Sequence, residues 1–189
     1  MSTIGPITRF VLVAVTWLAW VAALVELRKS RRKKAVRVDS RARWGLVLET
    51  AGYFIVCSHG PNVWTEGIAL WRGIVGCAVA AASIGVFWNA VGALGSQWRF
   101  DAGLNEDHEL VQDGAYRFVR HPIYASMFGM LVSLTFLIGT LPGWPVAVAL
   151  FIIGTEIRIR VEDSLLRERF GERFLAWRRS TPAYLPFVR

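Results

Sequence analysis

The sequence predicts an all-α integral membrane protein with about five transmembrane helices and a cytoplasmic C-terminal region. Hydrophobic residues fill 54% of the 189 positions, mean hydropathy is +0.40 and there are nine tryptophans, which is too apolar for an ordinary soluble domain. The apolar residues form five segments, and lysine and arginine gather in alternate connections. The length predicts one membrane-embedded domain over 1–189. It comprises three N-terminal spans within 1–94, with a basic loop at 28–43, and a C-terminal region over 95–189.

The apolar segments are taken in chain order. A membrane span needs about 20 apolar residues, so the second and fifth segments are marginal alone. The first segment has its basic cluster after it, the reverse of a secretory signal, and is therefore kept as a span. A Pro/Gly cluster at 139–145 predicts a tight turn between the last two, antiparallel, helices. The five segments lie at 7–26, 45–60, 68–94, 122–140 and 143–157.

The basic residues predict the orientation of the chain in the membrane. The 28–43 loop contains nine lysines and arginines, whereas the 59–66 loop and the 139–145 turn contain none. The 95–120 loop contains three arginines and the 158–189 tail contains eight. This alternation predicts an N-terminus outside the cell and a cytoplasmic C-terminus and active site. It also predicts that the 95–121 loop and the tail meet on one face.

The net charge of +8 comes with no nucleic-acid recognition motif, so we expect it to face anionic lipid and not nucleic acid. The tail shows helical spacing of apolar residues over 155–170, with a break or cap at Gly171 and an extended end over 181–187. This helix is also compatible with an amphipathic helix that lies on the lipid surface. We expect most tryptophans to be anchors at the membrane interface.

Residues 114–124 concentrate aromatic, arginine and histidine side chains just before an apolar segment. Charge at a bilayer boundary is costly unless it is used, so this stretch and residues 158–163 together predict a polar pocket. His121 precedes Pro122, which places it at the start of a helix. Arg158 and Glu162 share a helix face and are either a routine salt bridge or a pair in the pocket.

Other polar and cysteine residues give weaker indications. Glu49, Arg72 and Asn89 lie within spans and either pair with neighbouring helices or line a cavity. Cys57 and Cys77 lie in apolar segments and indicate no disulfide. The histidines lack metal-ligand spacing, so no metal is predicted. Of the adjacent acids Glu162 and Asp163, we expect one to hold a cationic group and the other to be solvated.

The C-terminal half, from about residue 85 to 189, resembles the isoprenylcysteine carboxyl methyltransferase family. The related phospholipid N-methyltransferases share the weaker parts of the pattern. Asp163 departs from it, because the family usually has a second Glu there, and the surroundings of Asp101 match no further cofactor contact. The resemblance rests on residues 108–111, 114–116 and 120–124, on Arg158, on residues 162–163, on Leu166, on residues 170–171 and on Pro186.

The resemblance implies S-adenosylmethionine as the cofactor and makes the cytoplasmic C-terminal region over 95–189 the cofactor-binding and catalytic region. It implies that Arg158 lies beside the methyl acceptor and that Glu162 binds the amino group of the cofactor, so these two are the expected catalytic residues. The implied cofactor contacts are His108, Glu109, Leu110, Val111, Tyr116, His121, Pro122, Ile123, Tyr124 and Glu162.

The expected activity is methyl transfer to a lipophilic acceptor in the membrane, and the resemblance favours O-methylation of a prenylcysteine-like carboxylate. Phospholipid-amine N-methylation stays open, as does a non-catalytic protein that binds anionic lipid or a partner. The family also has distant reductase relatives with a similar C-terminal half. The expected partners are a lipophilic or prenylated substrate and membrane lipid, whereas the sequence leaves the oligomeric state open.

Overall fold

The computed structural model describes residues 2–28, 37–58, 65–99, 102–138 and 143–184. Asp101, Pro186, half of the basic loop and most of the predicted 59–66 and 139–145 connections lie outside these residues. Six helices dominate the described part: α1 (Pro6–Arg28), α2 (Ala42–Cys57), α3 (Leu70–Leu94), α4 (Pro122–Ile138), α5 (Trp144–Phe170) and α6 (Glu172–Ser180). Four strands of two residues accompany them: β1 (Thr3–Ile4), β2 (Arg37–Val38), β3 (Ile68–Ala69) and β4 (Gly103–Leu104).

The strands group the connections at two ends of the helices. β1 pairs antiparallel with β3, so the N-terminal segment lies beside the connection that leads into α3. β2 pairs antiparallel with β4, so the end of the basic loop lies beside the connection that follows α3. These are the two groups of connections that the alternation of basic residues predicts. The orientation of either end relative to a membrane stays a prediction.

The first four predicted segments correspond to α1 to α4 within a few residues, but the fifth was drawn too short. Helix α5 is one continuous helix of 27 residues that joins the predicted span at 143–157 to the predicted tail helix at 155–170. It ends where predicted, at Gly171, whose φ of +53° is a conformation that glycine adopts without steric cost. Helix α6 begins directly after this residue.

Helices α2 and α5 form one closely packed pair, and α3 and α4 form the other. Glycines allow the close approach of α2 to α5, because a Cβ at Gly52 would lie 2.7 Å from the carbonyl oxygen of Ala147. A Cβ at Gly154 of α5 would lie 2.5 Å from the carbonyl oxygen of Gly45. In the other pair, the Ser133 hydroxyl donates to the carbonyl of Gly76 at 2.8 Å. Small residues at such contacts are typical of helices that pack in a membrane.

Two arginines bond to the backbone of α4 from other helices. Arg9 of α1 is 2% exposed; its guanidinium donates to the carbonyls of Leu137 (2.7 Å), Glu66 (2.9 Å) and Ile138. The last carbonyls of a helix carry partial negative charge, so a buried cation is stabilised there. Arg72 donates to the carbonyl of Thr135 at 3.3 Å. The sequence left Arg72 undecided, and the structure makes it a packing partner of α4.

The outer surface of the helices is apolar. In the described residues, α3 with the turn after it, Leu70–Gln97, is the helix that is long and apolar enough to cross a membrane by length and composition. The apolar parts at Pro6–Ala22 and Pro122–Ile138 are shorter. The all-helical prediction is therefore confirmed at the level of a mostly helical fold, whereas the count of about five spans stays a prediction.

Candidate active site

A cavity lies where the end of α3, the loop after it, the start of α4, the second half of α5 and α6 come together. The sequence predicted that this loop and the C-terminal tail meet, and backbone contacts confirm it. The N–H of Arg120 donates to Pro182 at 2.9 Å, and the N–H of His121 donates to Ala183 at 2.7 Å. The guanidinium of Arg120 donates to the carbonyl of Thr181 at 2.6 Å. The tail is therefore fixed along the chain that enters α4.

Nine of the eleven predicted site residues line this cavity. Of the other two, Glu109 is exposed, and its N–H donates to the Gln97 side chain at 2.6 Å, whereas Pro122 is buried at the start of α4. Their roles stay predictions, but the structure brings the residues together as the resemblance implied. The nine are His108, Leu110, Val111, Tyr116, His121, Ile123, Tyr124, Arg158 and Glu162.

Glu162 presents a carboxylate to the cavity from helix α5. The hydroxyl of Tyr124 donates to one oxygen of Glu162, and His121 Nδ1 lies 3.3 Å from the other. The side chain of Glu162 keeps 26% of its surface exposed. Since Glu162 is held from one side and open on the other, it can bind a cationic group that enters the cavity.

Asp163 has a different environment from its neighbour Glu162. Its side chain is 7% exposed, so the expectation that one of the two acids is solvated is wrong. Its carboxylate lies 2.9 Å from His121 Nε2, 3.4 Å from Arg120 Nη2 and 3.7 Å from Arg178 Nε. Two consecutive helix positions point about 100° apart. Glu162 therefore faces the cavity, whereas Asp163 faces the side chains of His121, Arg120 and Arg178. The shorter Asp at this position therefore pairs with buried cationic side chains and holds the fold together around the cavity.

His121 bridges the two acids. Burial alone would lower its pKa, but hydrogen bonds to Asp163 and Glu162 outweigh burial and raise the pKa of His121 above its ordinary value. The ring is thus held in one orientation between a scaffold carboxylate and the cavity carboxylate. We infer from this geometry that His121 orients Glu162.

His108 also lines the cavity. Burial, together with Arg169 and Arg99, lowers the pKa of His108, so its ring is neutral at neutral pH. Its Nδ1 is buried and has no hydrogen-bond partner among the described residues. A buried polar atom without a partner is costly in a folded protein, and here it is available to a ligand.

Arg158 of α5 lies beside Glu162 but does not depend on it for charge compensation. Its Nε donates to the Tyr124 hydroxyl at 2.9 Å, and its Nη1 lies 3.2 Å from Glu49 Oε2 on α2. The sequence left the role of Glu49 open, and the structure makes it the counter-ion of Arg158. A single acid in an apolar helix was the available signal. Its partner is 109 positions away, which one sequence does not reveal.

Sequence reasoning also missed part of the cavity wall. Trp98 and Trp177 line the cavity and are only 5% and 8% exposed, so these two are not interface anchors. Asn89, also left undecided, accepts a hydrogen bond from the N–H of Ala115 at 2.6 Å and so helps to hold the turn before Tyr116. Aromatic residues near segment ends carry no signal that separates a lipid contact from a ligand contact.

The donor set of the cavity fits S-adenosylmethionine. Glu162 suits the ammonium of its methionine part, and aromatic and aliphatic side chains suit the adenine ring. His108 Nδ1 offers a polar contact at the wall. In the part of the chain that the structure describes, no group of three or more His, Cys, Asp or Glu side chains could hold a metal ion. The apolar wall includes Trp98, Leu110, Val111, Tyr116, Ile123 and Trp177.

Comparison with known proteins places the matching region over the same part of the chain. The family model described as phospholipid methyltransferase matches residues 71–173, which is more than half of the chain. The nickel-cobalt-cadmium resistance protein NccN of Alcaligenes xylosoxydans xylosoxydans is 28% identical over 145 residues, covering 76% of this chain and 62% of that protein. The protein-S-isoprenylcysteine O-methyltransferase of Schizosaccharomyces pombe is 32% identical over 88 residues, covering 44% and 36%.

A solved structure shares the fold. It is that of the eukaryotic intramembrane Ras methyltransferase ICMT, the isoprenylcysteine carboxyl methyltransferase, with a TM-score of 0.58 and 22% sequence identity. The match covers 81% of this chain and 55% of that one. The chain therefore spans less than two thirds of the length of these relatives. Together with the family match, these likenesses support the resemblance noted from the sequence.

Proposed function

Since the chain belongs to the phospholipid methyltransferase family, we propose that it is a membrane methyltransferase that uses S-adenosylmethionine and methylates a lipophilic acceptor. One observation carries the proposal. The Tyr124 hydroxyl contacts both Glu162 and Arg158, so a carboxylate for the cofactor and a guanidinium for the acceptor lie side by side in one cavity. This is the arrangement that the resemblance implies.

The proposed methyl transfer requires the protein mainly to position the cofactor and the acceptor. When bound, S-adenosylmethionine would supply a methyl group activated by its sulfonium, and transfer to the acceptor oxygen would leave the electron pair of the broken C–S bond on sulfur. No proton moves when the acceptor is a carboxylate, which is ionised at neutral pH. Glu162 would fix the cofactor end and Arg158 the acceptor end. Aromatic and aliphatic side chains of the wall would limit water around the reacting groups, so catalysis would rest mainly on their orientation.

The acceptor that we favour is a prenylcysteine-like carboxylate. A guanidinium presents a planar fork of donors that suits a carboxylate, and the proteins with similar sequence and fold include isoprenylcysteine methyltransferases. A phospholipid amine is the second candidate, and the family match supports it. An amine must lose a proton before it attacks the methyl group, a task that Glu162 or His121 could assist.

We place the protein in a membrane because its apolar side chains face outward on several helices. Ile7 and Leu18 of α1 are 81% and 66% exposed, and Phe54 of α2 is 69% exposed. Water would penalise such a surface, whereas lipid would not. The positive charge of the 28–43 loop and the tail favours a cytoplasmic position for the cavity. A lipophilic acceptor would then enter from the bilayer and the cofactor from the cytoplasm.

Two measurements test the proposal with the detergent-purified full chain. Isothermal titration with S-adenosylhomocysteine should give saturable binding to one site. Transfer of the labelled methyl group of S-adenosylmethionine should then be followed with N-acetyl-S-farnesylcysteine as the carboxylate probe and phosphatidylethanolamine vesicles as the amine probe. Folded protein that binds no S-adenosylhomocysteine would exclude the proposal and favour a reductase-like or non-catalytic protein. Binding with methylation of the vesicles alone would favour the amine candidate.

A further inference from the structure

Helix α2 supports Arg158 from outside the cavity, and its residues lie outside the region that the family model matches. Glu49 lies outside residues 71–173, yet its carboxylate ion-pairs with Arg158 at 3.2 Å. Gly45, one helical turn earlier, makes room for the same side chain, because a Cβ there would lie 2.5 Å from Arg158 Cγ. The two positions share one face of α2. This face of α2 therefore packs against the Arg158 side chain and supplies its counter-ion.

Glu49 lies behind Arg158 and not in the cavity. Its side chain is 1% exposed, and it does not belong to the cavity wall, whereas Arg158 does. The Thr155 hydroxyl donates to the second oxygen of Glu49 at 3.0 Å, so the carboxylate is held on both oxygens. Charges so deeply buried stay in place only when each is paired and hydrogen-bonded. Glu49 is thus a fixed counter-ion, present whether or not an acceptor is bound.

A carboxylate acceptor that reaches Arg158 therefore meets a guanidinium whose charge is already balanced. Two carboxylates beside one guanidinium repel each other, and low dielectric strengthens that repulsion. Methyl transfer turns the acceptor carboxylate into a neutral ester, which no longer competes for the guanidinium. Glu49 then remains the partner of Arg158, and the product leaves without exposing a buried, unpaired charge.

We propose that Glu49 is a specificity-determining residue that competes with the acceptor carboxylate for Arg158, limits the affinity for carboxylate substrates and favours release of the neutral ester. The inference rests on the proposed function and deepens it, because it states how the acceptor end treats an acid and its ester. It makes Glu49 a positioning residue that acts through Arg158. Removing the charge of Glu49 should change the ratio of the affinity for the acid to the affinity for its methyl ester.

The test compares Glu49→Gln with the wild-type chain, using N-acetyl-S-farnesylcysteine as substrate and its methyl ester as competitive inhibitor at saturating S-adenosylmethionine. Gln keeps the shape and removes the charge. We expect KM for the acid to fall about tenfold, equivalent to about 1.4 kcal/mol, while Ki for the ester stays unchanged. Glu66→Gln is the matched control, since Glu66 is exposed near the opposite, N-terminal end of α3, and it should move neither constant.

Thr155→Val provides a second variant that keeps the charge of Glu49 but removes its hydrogen bond. It should lower KM for the acid by a smaller factor in the same direction. An equal change for acid and ester in Glu49→Gln, or a rise in KM for the acid, would overturn the inference. If Glu49→Gln does not fold, an unchanged ratio in Thr155→Val would do the same.

The outcomes separate this inference from the proposed function. Wild-type protein that binds no S-adenosylhomocysteine refutes the methyltransferase itself. Wild-type protein that binds it and methylates the acid, but whose acid-to-ester ratio does not respond to Glu49→Gln, refutes only the role of Glu49. Methylation of amine acceptors alone, with no gain of acid methylation in Glu49→Gln, also refutes that role. Acid methylation that appears only in Glu49→Gln supports it.

Discussion

Neutralising the two adjacent acids of α5 one at a time should separate residues that bind the cofactor from residues that stabilise the fold. Glu162→Gln and Asp163→Asn are the same chemical change at consecutive positions, so each is the control for the other. Glu162 faces the cavity with 26% of its side chain exposed, whereas Asp163 is 7% exposed. We expect Glu162→Gln to weaken cofactor binding with little change in stability. Asp163→Asn should lower stability more than it lowers affinity.

The magnitudes follow from the contacts of each carboxylate. A hydrogen bond to a charged group contributes about 1.5–3 kcal/mol. Because Glu162 is partly open to solvent, the lower part of that range applies, roughly ten- to thirtyfold in Kd. Asp163 faces His121 at 2.9 Å and Arg120 at 3.4 Å, both buried. Breaking such a buried pair costs about 3 kcal/mol or more, which corresponds to about 6–12 °C in Tm for a chain of this size.

Two assays on the same detergent preparations give the answer. Isothermal titration with S-adenosylhomocysteine reports affinity, and thermal denaturation followed by tryptophan fluorescence reports stability. We expect Glu162→Gln to be the weaker binder and Asp163→Asn to be the less stable variant. If Glu162→Gln bound the ligand like the wild type, the assignment of Glu162 to the cofactor would be refuted. If Asp163→Asn denatured at the wild-type temperature, its scaffold role would be refuted.

Three further predictions concern the rest of the network. Arg158→Ala should keep S-adenosylhomocysteine affinity within about threefold, under 1 kcal/mol, and lose methyl transfer in the labelled-methyl assay; unchanged turnover would remove Arg158 from the acceptor end. Gly45→Ala should lower the free energy of unfolding by about 1–3 kcal/mol, because its methyl group would overlap the Arg158 side chain. Gly85→Ala is the control in the same thermal denaturation assay: its Cβ would meet open space, so it should cause no such loss. Because the pKa of His121 is raised in the folded chain, its protonated ring contributes stability that is present below the ordinary pKa of histidine, about 6.5, and is lost as the pH rises through the higher pKa of the folded state. Tm should therefore fall as the pH is raised above about 6.5, and His121→Gln should flatten that profile.

The sequence was sufficient for the helices and for the grouping of their connections. Long apolar segments and the alternation of basic loops depend on local composition, which one chain displays directly. The start of α4 at Pro122 and the end of α5 at Gly171 follow from local backbone rules. The fifth segment was drawn too short because hydropathy ends where charge begins. The helix itself continues through the charged residues of the site.

The pairing of charges was not available from the sequence. Spacing offered Glu162 as a partner of Arg158, but tertiary packing supplied Glu49 from a helix that hydropathy alone had matched. The sequence did not show which of Glu162 and Asp163 would be exposed, and Asp163 is buried against His121, Arg120 and Arg178. Such outcomes depend on which helices become neighbours, and α2 lies against α5 because glycines on both permit it. The pattern of residues in one sequence does not show which helices contact each other.

The backbone bonds of residues 120–121 to residues 182–183 have a consequence for the order of assembly. The segment that completes the cavity is translated more than sixty positions after the loop that it holds. During synthesis, α1 to α4 can enter the bilayer and pack while His121 and Arg120 still lack their backbone and carboxylate partners. Closure of the cavity thus waits until residues 182–183 have been made, and a ribosome-stalled chain ending before residue 180 should lack the hydrogen bonds that hold Arg120 and His121.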